Sequence, residues 1–317
     1  MKSYLNFTLK GSQFLPLWIA FFFFFMIPYY LMKGELAALT ATDVPAGGPS
    51  KLFFVYLCCT LAMAFSFIFF IVKLVVQSLE YNGAKAVCDY HTNKYIGIVI
   101  SGLVLTIVTV GIYVPWFIKN MQRFFVHGVV YKEHKFAFRG KGGRLFLIMT
   151  LTIFIPFLVW GIILFSVFKS KEIDLWIYQL IVIFSLVPNI YLIYKWIVDV
   201  RYKNYLIKWD TKFFPSTGRI ALELLLAGIT FGIYFPMAYL RLYQYFTAHT
   251  KSNIVDGKQV NMGYDGNLVS DFLFVWGQIL LTVFTLGIYY PWAFTRIIHR
   301  VLTQTYLATN LIKEEFL

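Results

Sequence analysis

Residues 285–292 read TLGIYYPW, and two similar octets occur earlier, TVGIYVPW at 109–116 and TFGIYFPM at 230–237. Each octet places Gly and Pro four residues apart in a hydrophobic stretch, and an aromatic and basic segment follows it. Proline removes a backbone donor and clashes with the preceding helical turn, and glycine lowers helix stability. The octet therefore predicts a point at which a helix ends or bends.

The composition around the octets is that of a membrane protein. Hydrophobic residues make up 59% of the 317-residue chain and charged residues only 14%, whereas soluble domains carry about 25% charged residues. The apolar stretches predict an all-α polytopic bundle of about seven spans, some of them re-entrant or kinked. The predicted spans are 14–32, 52–77, 96–118, 145–168, 174–198, 219–239 and 269–293.

One integrated membrane domain is expected, with a two-span region at 1–90 and an octet-containing region at 91–317. The octets themselves allow two interpretations. Their Tyr and Trp residues suit the membrane interface, and the following Lys and Arg residues can reach headgroups, so each octet can be a simple anchor. Alternatively, the octet breaks a helix that lines a passage or acts as a hinge. The candidate passage or hinge residues are Gly111, Pro115, Gly232, Pro236, Gly287 and Pro291.

The orientation of the octets is open. Seven spans place eighteen Lys and Arg residues on one side of the membrane and nine on the other, which predicts an outside N-terminus and a cytoplasmic C-terminus. A single span between the second and third octets would put these octets on opposite faces, as in inverted repeats. A segment that folds back at its Gly/Pro break would instead put all three octets on one face.

Further words recur near the octets, FAFRG at 136–140 and MGYDG at 262–266, with FTLKG at 7–11 before the first span. Their alternating aromatic residues predict short extended segments that end in a turn. Together with the octets, the first two words resemble the YjgN family of bacterial inner-membrane proteins, over about residues 90–310 and more loosely before them. The resemblance implies the bacterial inner membrane and no established activity. Met237 departs from the pattern, because the other octets end in Trp.

A few polar residues are candidates for function. Glu223 is the acidic residue nearest the interior of a predicted span, where charge is costly, and it is the candidate for passage of an ion or solute. Pairing with Arg219, one helical turn earlier, is the structural alternative. Cations at helical spacing after two octets are candidate contacts for anionic lipids. They are Lys119, Arg123, Arg296 and Arg300.

The sequence contains no motif of a catalytic, metal-binding or cofactor-binding site, so no enzyme, metal or cofactor is predicted. The expected partners are membrane lipids, with a homo-oligomer or a partner in a membrane complex left open and nucleic acid excluded. The favoured function is transport or channel-like passage of a small solute, ion or lipid. The alternative is a non-transporting scaffold or a lipid-binding subunit of a membrane complex.

Overall fold

The computed structural model describes residues 2–40, 50–167 and 175–311. Its helices are α1 (Gly11–Phe21), α2 (Ile27–Thr40), α3 (Lys51–Gln77), α4 (Thr92–Val108), α5 (Val114–His127), α6 (Gly142–Met149), α7 (Ile155–Val167), α8 (Leu175–Ile197), α9 (Phe213–Ile229), α10 (Phe235–Ala248), α11 (Leu268–Phe284) and α12 (Tyr290–Thr303). Two π-helical turns, Phe22–Met26 and Thr150–Phe154, join α1 to α2 and α6 to α7. The strands are β1 (Lys2–Phe7), β2 (Leu79–Tyr81), β3 (Ala84–Lys85), β4 (Val87–Cys88), β5 (Val129–Tyr131), β6 (His134–Phe138), β7 (Val200–Tyr202), β8 (Tyr205–Trp209), β9 (Thr250–Ser252), β10 (Lys258–Tyr264) and β11 (Thr305–Leu311).

These strands form one antiparallel sheet in the order β3-β2-β1-β11-β10-β9-β8-β7-β6-β5-β4. The two outermost strands, β3 and β4, are separated in the chain only by Ala86, so the sheet is a nearly closed ring. Pairing of β1 with β11 brings the two ends of the described chain together, with Lys2 opposite Ala308. Lys2 and Tyr4 both donate to the Asp265 carboxylate at 2.8 Å. The hydrogen bond from Lys2 holds the pKa of Asp265 below its usual value.

In the part of the chain that the structure describes, five helical hairpins rise from one edge of this ring. Each hairpin leaves the end of one strand and returns to the start of the next, and the residues at these points pair with each other. The pairs are Phe7–Leu79, Cys88–Val129, Phe138–Val200, Trp209–Thr250 and Tyr264–Thr305. The tight turns between strands therefore lie at the opposite edge of the ring. Successive hairpins pack side by side, and α12 packs against α1 to complete the circle.

Buried aromatic residues fix the junctions between strands and helices. Phe7, Phe138, Trp209 and Tyr264 end their strands with at most 7% of their surface exposed, and a helix begins a few residues beyond each of them. Trp209, for example, packs against Tyr191 on α8 and Phe246 on α10. The predicted extended segments at FTLKG, FAFRG and MGYDG are confirmed, because each word contains the end of a strand.

The final Trp of an octet packs on glycine in the next hairpin. A Cβ on Gly142 would lie 2.7 Å from Trp116, and a Cβ on Gly11 would lie 2.6 Å from Trp292. Glycine at the start of α6 and α1 therefore makes room for the indole rings. In contrast, α11 begins with Leu268, and the octet before it ends in the smaller Met237. The exception at Met237 thus coincides with a larger residue at the start of the following helix.

The predicted all-α bundle of seven spans is wrong. Strands occupy much of the chain between the predicted spans, and the predicted spans 96–118, 219–239 and 269–293 each turn back at an octet to form two shorter helices. Among the described residues, three helices are long and apolar enough to cross a membrane: Gly11–Ala37, Lys51–Gln77 and Gly142–Ile162. These helices are compatible with a membrane protein. The predicted span 174–198 is only partly described, and α8 accounts for most of it.

The predicted orientation of the two termini rested on seven spans. Residues 2–4 pair with residues 306–308 in neighbouring strands, so both ends of the described chain lie together. Each octet hairpin returns to the edge of the sheet from which it started. The charge count over seven spans therefore no longer applies, and the orientation of the termini stays a prediction.

Candidate functional site

The three octets form the tips of three helical hairpins, at the end away from the sheet; they are called the octet tips below. In each, the helix ends at Thr109, Thr230 or Thr285. The next residue and the glycine both have positive φ, for example +50° at Leu286 and +86° at Gly287. The values are within about two degrees at the equivalent positions Val110, Gly111, Phe231 and Gly232. One turn conformation therefore serves all three octets.

The turn leaves no backbone N–H unpaired in the first and third octets. At the third tip, residues 285–288 and Tyr290 donate to backbone oxygens of the same hairpin. The N–H of Tyr289 donates to the Thr285 hydroxyl oxygen at 3.1 Å, Pro291 has no N–H, and Trp292 and Ala293 donate to the Tyr289 carbonyl. The same bonds recur at the first tip, including Tyr113 to Thr109 at 3.0 Å. The Thr of the octet thus satisfies one backbone donor, and its Pro removes another.

Large apolar side chains stand at the apex of the tips. Val110, Phe231 and Leu286 are 91%, 86% and 90% exposed, although a bulky residue at positive φ is strained. Ile112, Ile233 and Ile288, two residues later, are also exposed. Glycine or asparagine would fit such a turn at less cost in water. Apolar residues at this position indicate contact with something apolar outside the described chain.

Indole groups from the neighbouring hairpin donate hydrogen bonds to two of the tips. Trp18 Nε1 donates to the Gly287 carbonyl at 3.2 Å, and Trp276 Nε1 donates to the Ile233 carbonyl at 2.9 Å. The bond from Trp18 fixes the position of the third tip along the candidate span Gly11–Ala37. The tip lies beside Trp18, near the start of this span, and about 28 Å of the span extends beyond Trp18.

The octet glycines and prolines have distinct positions. Gly111, Gly232 and Gly287 supply the positive φ of the tips, with no atom within 4 Å of an added Cβ. Pro115, Pro236 and Pro291 are buried in the first turn of the returning helix, where proline is well tolerated. None of these residues lies beside a polar cavity among those described below, so their proposed role in passage stays a prediction.

Glu223 is completely buried inside the second octet hairpin. Its Oε2 accepts a 2.9 Å hydrogen bond from Tyr234. Its Oε1 faces Arg219 at 3.4 Å and Arg241 at 3.8 Å without a well-oriented hydrogen bond. The expected pairing with Arg219 is present, and Arg241 is a second partner that the sequence analysis missed. A buried carboxylate is costly unless paired, and the two arginines compensate the charge of Glu223, although its Oε1 accepts no hydrogen bond.

The four predicted lipid-contacting cations lie on the returning helices α5 and α12. Lys119 donates to Asn120 on α5, and Arg123 is exposed one turn further. On α12, Arg296 donates to the hydroxyl of Tyr289. Arg300 is instead held by the buried Asp271 at 2.6 Å and by Ser270 at 2.8 Å. Of the two arginines on α12, Arg296 is therefore the one that forms no ion pair with a described residue.

An open groove of about 1040 Å³, called the α12 groove below, lies between α12 and the β1–α1 junction. Cations and polar groups line one part of it, and Phe274 and Trp292 provide apolar surface. The polar groups include Lys10, Ser12, Arg296, His299, Arg300, Thr303 and Gln304. His299 Nδ1 is bonded to the Phe7 carbonyl at 2.7 Å. No carboxylate pairs with Lys10 or Arg296 in the described part of the chain.

Lys10 is not among the site residues predicted from the sequence, because it lies far from α12 in the chain and no local pattern shows that the two are neighbours. The FTLKG word was interpreted only as an extended segment, and pairing of β1 with β11 brings it beside α12. No group of three or more His, Cys, Asp or Glu side chains in residues 2–40, 50–167 and 175–311 is arranged to hold a metal ion.

A family model described as a bacterial protein of unknown function, DUF898, matches residues 2–126. This is the YjgN family, so the resemblance is confirmed for that part of the chain. The match covers β1 to α5, including the first octet and the N-terminal region that fitted more loosely in the sequence analysis. The second and third octets lie outside it. No curated protein and no solved structure matches the chain.

The turn geometry predicts the effect of adding one methyl group at a tip. Gly287→Ala places alanine at φ +86° and should destabilise the protein by about 1–2 kcal/mol. Gly277→Ala is the matched control, because Gly277 lies within α11 with no atom within 4 Å of the added Cβ. It should be neutral or stabilising by up to about 1 kcal/mol. Thermal unfolding of both variants in detergent measures the difference, and equal midpoints would refute the assigned turn.

Proposed function

We propose that the protein is an integral membrane protein that binds lipids from one side of the bilayer, without a passage pathway. The main support for this proposal is the exposure of the octet tips, because the apolar side chain at the apex is more than 85% exposed in all three copies. Hydrocarbon tolerates a turn only when its backbone groups are paired, and the tips of the first and third octets pair every N–H.

The depth of the tips follows from the long helices. About 28 Å of candidate span extends beyond Trp18, and this is close to the hydrocarbon thickness of about 30 Å. A tip beside Trp18 therefore lies in the shallow part of the nearer leaflet, the headgroup and acyl-chain boundary into which interfacial helices are buried by about 5–10 Å. In this proposal the long hairpins cross the membrane, while the octet hairpins enter one leaflet and return.

The sheet then lies on the side from which the octet hairpins enter. Its turns and strands carry many cations, whereas the tips at 109–116, 230–237 and 285–292 carry none. The sheet cations include Lys132, Lys135, Arg201, Lys203, Lys208, Lys251 and Lys258. Lys and Arg accumulate on the cytoplasmic side of membrane proteins. We therefore place the sheet, with both ends of the described chain, in the cytoplasm, beneath the inner membrane that the family resemblance implies.

Membrane insertion of the tips predicts a measurable depth. A fluorophore on Leu286→Cys, with the native cysteines Cys58, Cys59 and Cys88 replaced by serine, should be quenched by lipids spin-labelled near the headgroup end of the acyl chain. Chain-end spin labels should quench it less, because the tip stays in one leaflet. The control Glu133→Cys lies in the exposed β5–β6 turn and should be quenched by aqueous iodide. Iodide quenching of Leu286→Cys in proteoliposomes would refute the insertion.

Transport or channel-like passage of a small solute, ion or lipid is the second candidate function. Glu223 favours it, because a fully buried carboxylate in a membrane-entering hairpin is the residue type that carries ions in transporters. The ion pairs with Arg219 and Arg241 favour the structural role instead.

The Glu223→Gln variant separates these functions in proteoliposomes. Passage through Glu223 predicts loss of flux of a tested ion or solute in the variant. A structural Glu223 predicts unchanged flux with a lower unfolding temperature, because the two arginines lose their carboxylate. Unchanged flux for every tested solute would eliminate Glu223 as a passage residue.

A further inference from the structure

The second and third octet hairpins place three side chains at the same positions. Tyr234 donates to Glu223 at 2.9 Å, and Tyr289 donates to Gln278 at 3.0 Å, each partner lying eleven residues earlier. Seven residues after each tyrosine stands an arginine, Arg241 or Arg296. Both guanidinium groups lie 5.7 Å from the centre of the tyrosine ring. The two networks differ in charge at one position, where the third hairpin has Gln278 instead of a carboxylate.

This difference leaves the arginine of the third hairpin without a carboxylate in contact. Arg241 faces Glu223 at 3.8 Å and shares this carboxylate with Arg219. Gln278 is neutral, and Arg296 forms no ion pair among the described residues, although it is fixed by the Tyr289 hydroxyl. The exposed guanidinium group of Arg296 lines the α12 groove. A positioned arginine without an internal counterion is suited to an anionic ligand from outside.

The surroundings of Arg296 indicate the class of anion. Lys10 brings a second cation to the groove, Ser12 and Thr303 bring hydroxyl groups, and Trp292 brings an apolar wall. Cations and hydroxyl donors suit the oxygens of a phosphate group, and the apolar wall suits the start of an acyl chain. Arg296 lies six residues, or about 9 Å, along α12 from its first residue Tyr290, so a tip inserted by about 5–10 Å leaves it at headgroup level.

We infer that the α12 groove binds the phosphodiester headgroup of an anionic phospholipid, with Arg296 and Lys10 contacting the phosphate. The inference rests on the proposed membrane insertion and names the ligand class of that function. In the third hairpin the lipid phosphate is the counterion of Arg296, as the Glu223 carboxylate is a counterion of Arg241 in the second. Arg300 supports the groove wall through Asp271 and does not supply free charge.

Calorimetric titration tests the site on the full-length protein in a neutral detergent. The probes are short-chain phosphatidylglycerol, short-chain phosphatidylcholine and sodium phosphate. Arg296→Gln should weaken phosphatidylglycerol binding by about ten- to a hundredfold, as loss of a charged hydrogen bond does. Gln278→Glu should weaken it comparably, because the new carboxylate pairs with Arg296 and no groove side chain is removed. The matched Arg241→Gln variant should bind like the natural protein.

Each other outcome contradicts the inference. Equal losses in Arg241→Gln and Arg296→Gln would indicate a non-specific charge effect, and an unchanged Gln278→Glu variant would refute the role of the missing carboxylate. Binding of sodium phosphate as tight as that of phosphatidylglycerol would assign the groove to free phosphate, and equally tight phosphatidylcholine would exclude selection for net charge. Because fluorophore depth at Leu286→Cys is measured independently, failure of the headgroup site is distinguishable from failure of membrane insertion.

Discussion

The hydrogen bond from a tyrosine N–H to a threonine hydroxyl is the interaction on which the octet hairpins depend. In an ordinary helical reversal, several N–H groups at the start of the returning helix lack partners and need water. Here the Thr285 hydroxyl accepts the bond from Tyr289, the glycine permits the reversal, and Pro291 has no donor to satisfy. The reversal can therefore enter an apolar medium. That property makes the strongly exposed Leu286 at the apex physically reasonable.

The same reversal determines the plan of the molecule. Because each octet hairpin returns to the edge from which it left, all five helical hairpins can share one edge of a single sheet, and the chain ends can pair in β1 and β11. Closing the circle places Lys10 beside α12, which creates the α12 groove. The contrast between Glu223 and Gln278 then gives Arg241 a carboxylate in contact and leaves Arg296 without one.

The sequence identified the recurring octet, the apolar character and the cations at Arg296 and Arg300, because these are local features. It failed where distant segments decide the structure. Asn82-Gly83 and Asp256-Gly257 are strong signals for β-hairpins, and both residues of each pair have positive φ. Each pair lies between two predicted spans, where the sequence analysis predicts no hairpin. The 96–118 stretch is long enough to span a membrane, and only the turn at Gly111 shows that it does not. Lys10 and Asp271 join the site through sheet closure and packing, which no local pattern reveals.

Labelling of cysteines on both sides of one octet tests the central claim that the octet is a reversal. Lys94→Cys precedes the first octet and Glu133→Cys follows it, and both side chains are exposed. Each is introduced singly into a protein without native cysteines and treated with a membrane-impermeant maleimide in spheroplasts. The account predicts that both sites are protected until the inner membrane is permeabilised and then react alike. Reaction of one site from outside while the other stays protected would show that the segment crosses the membrane.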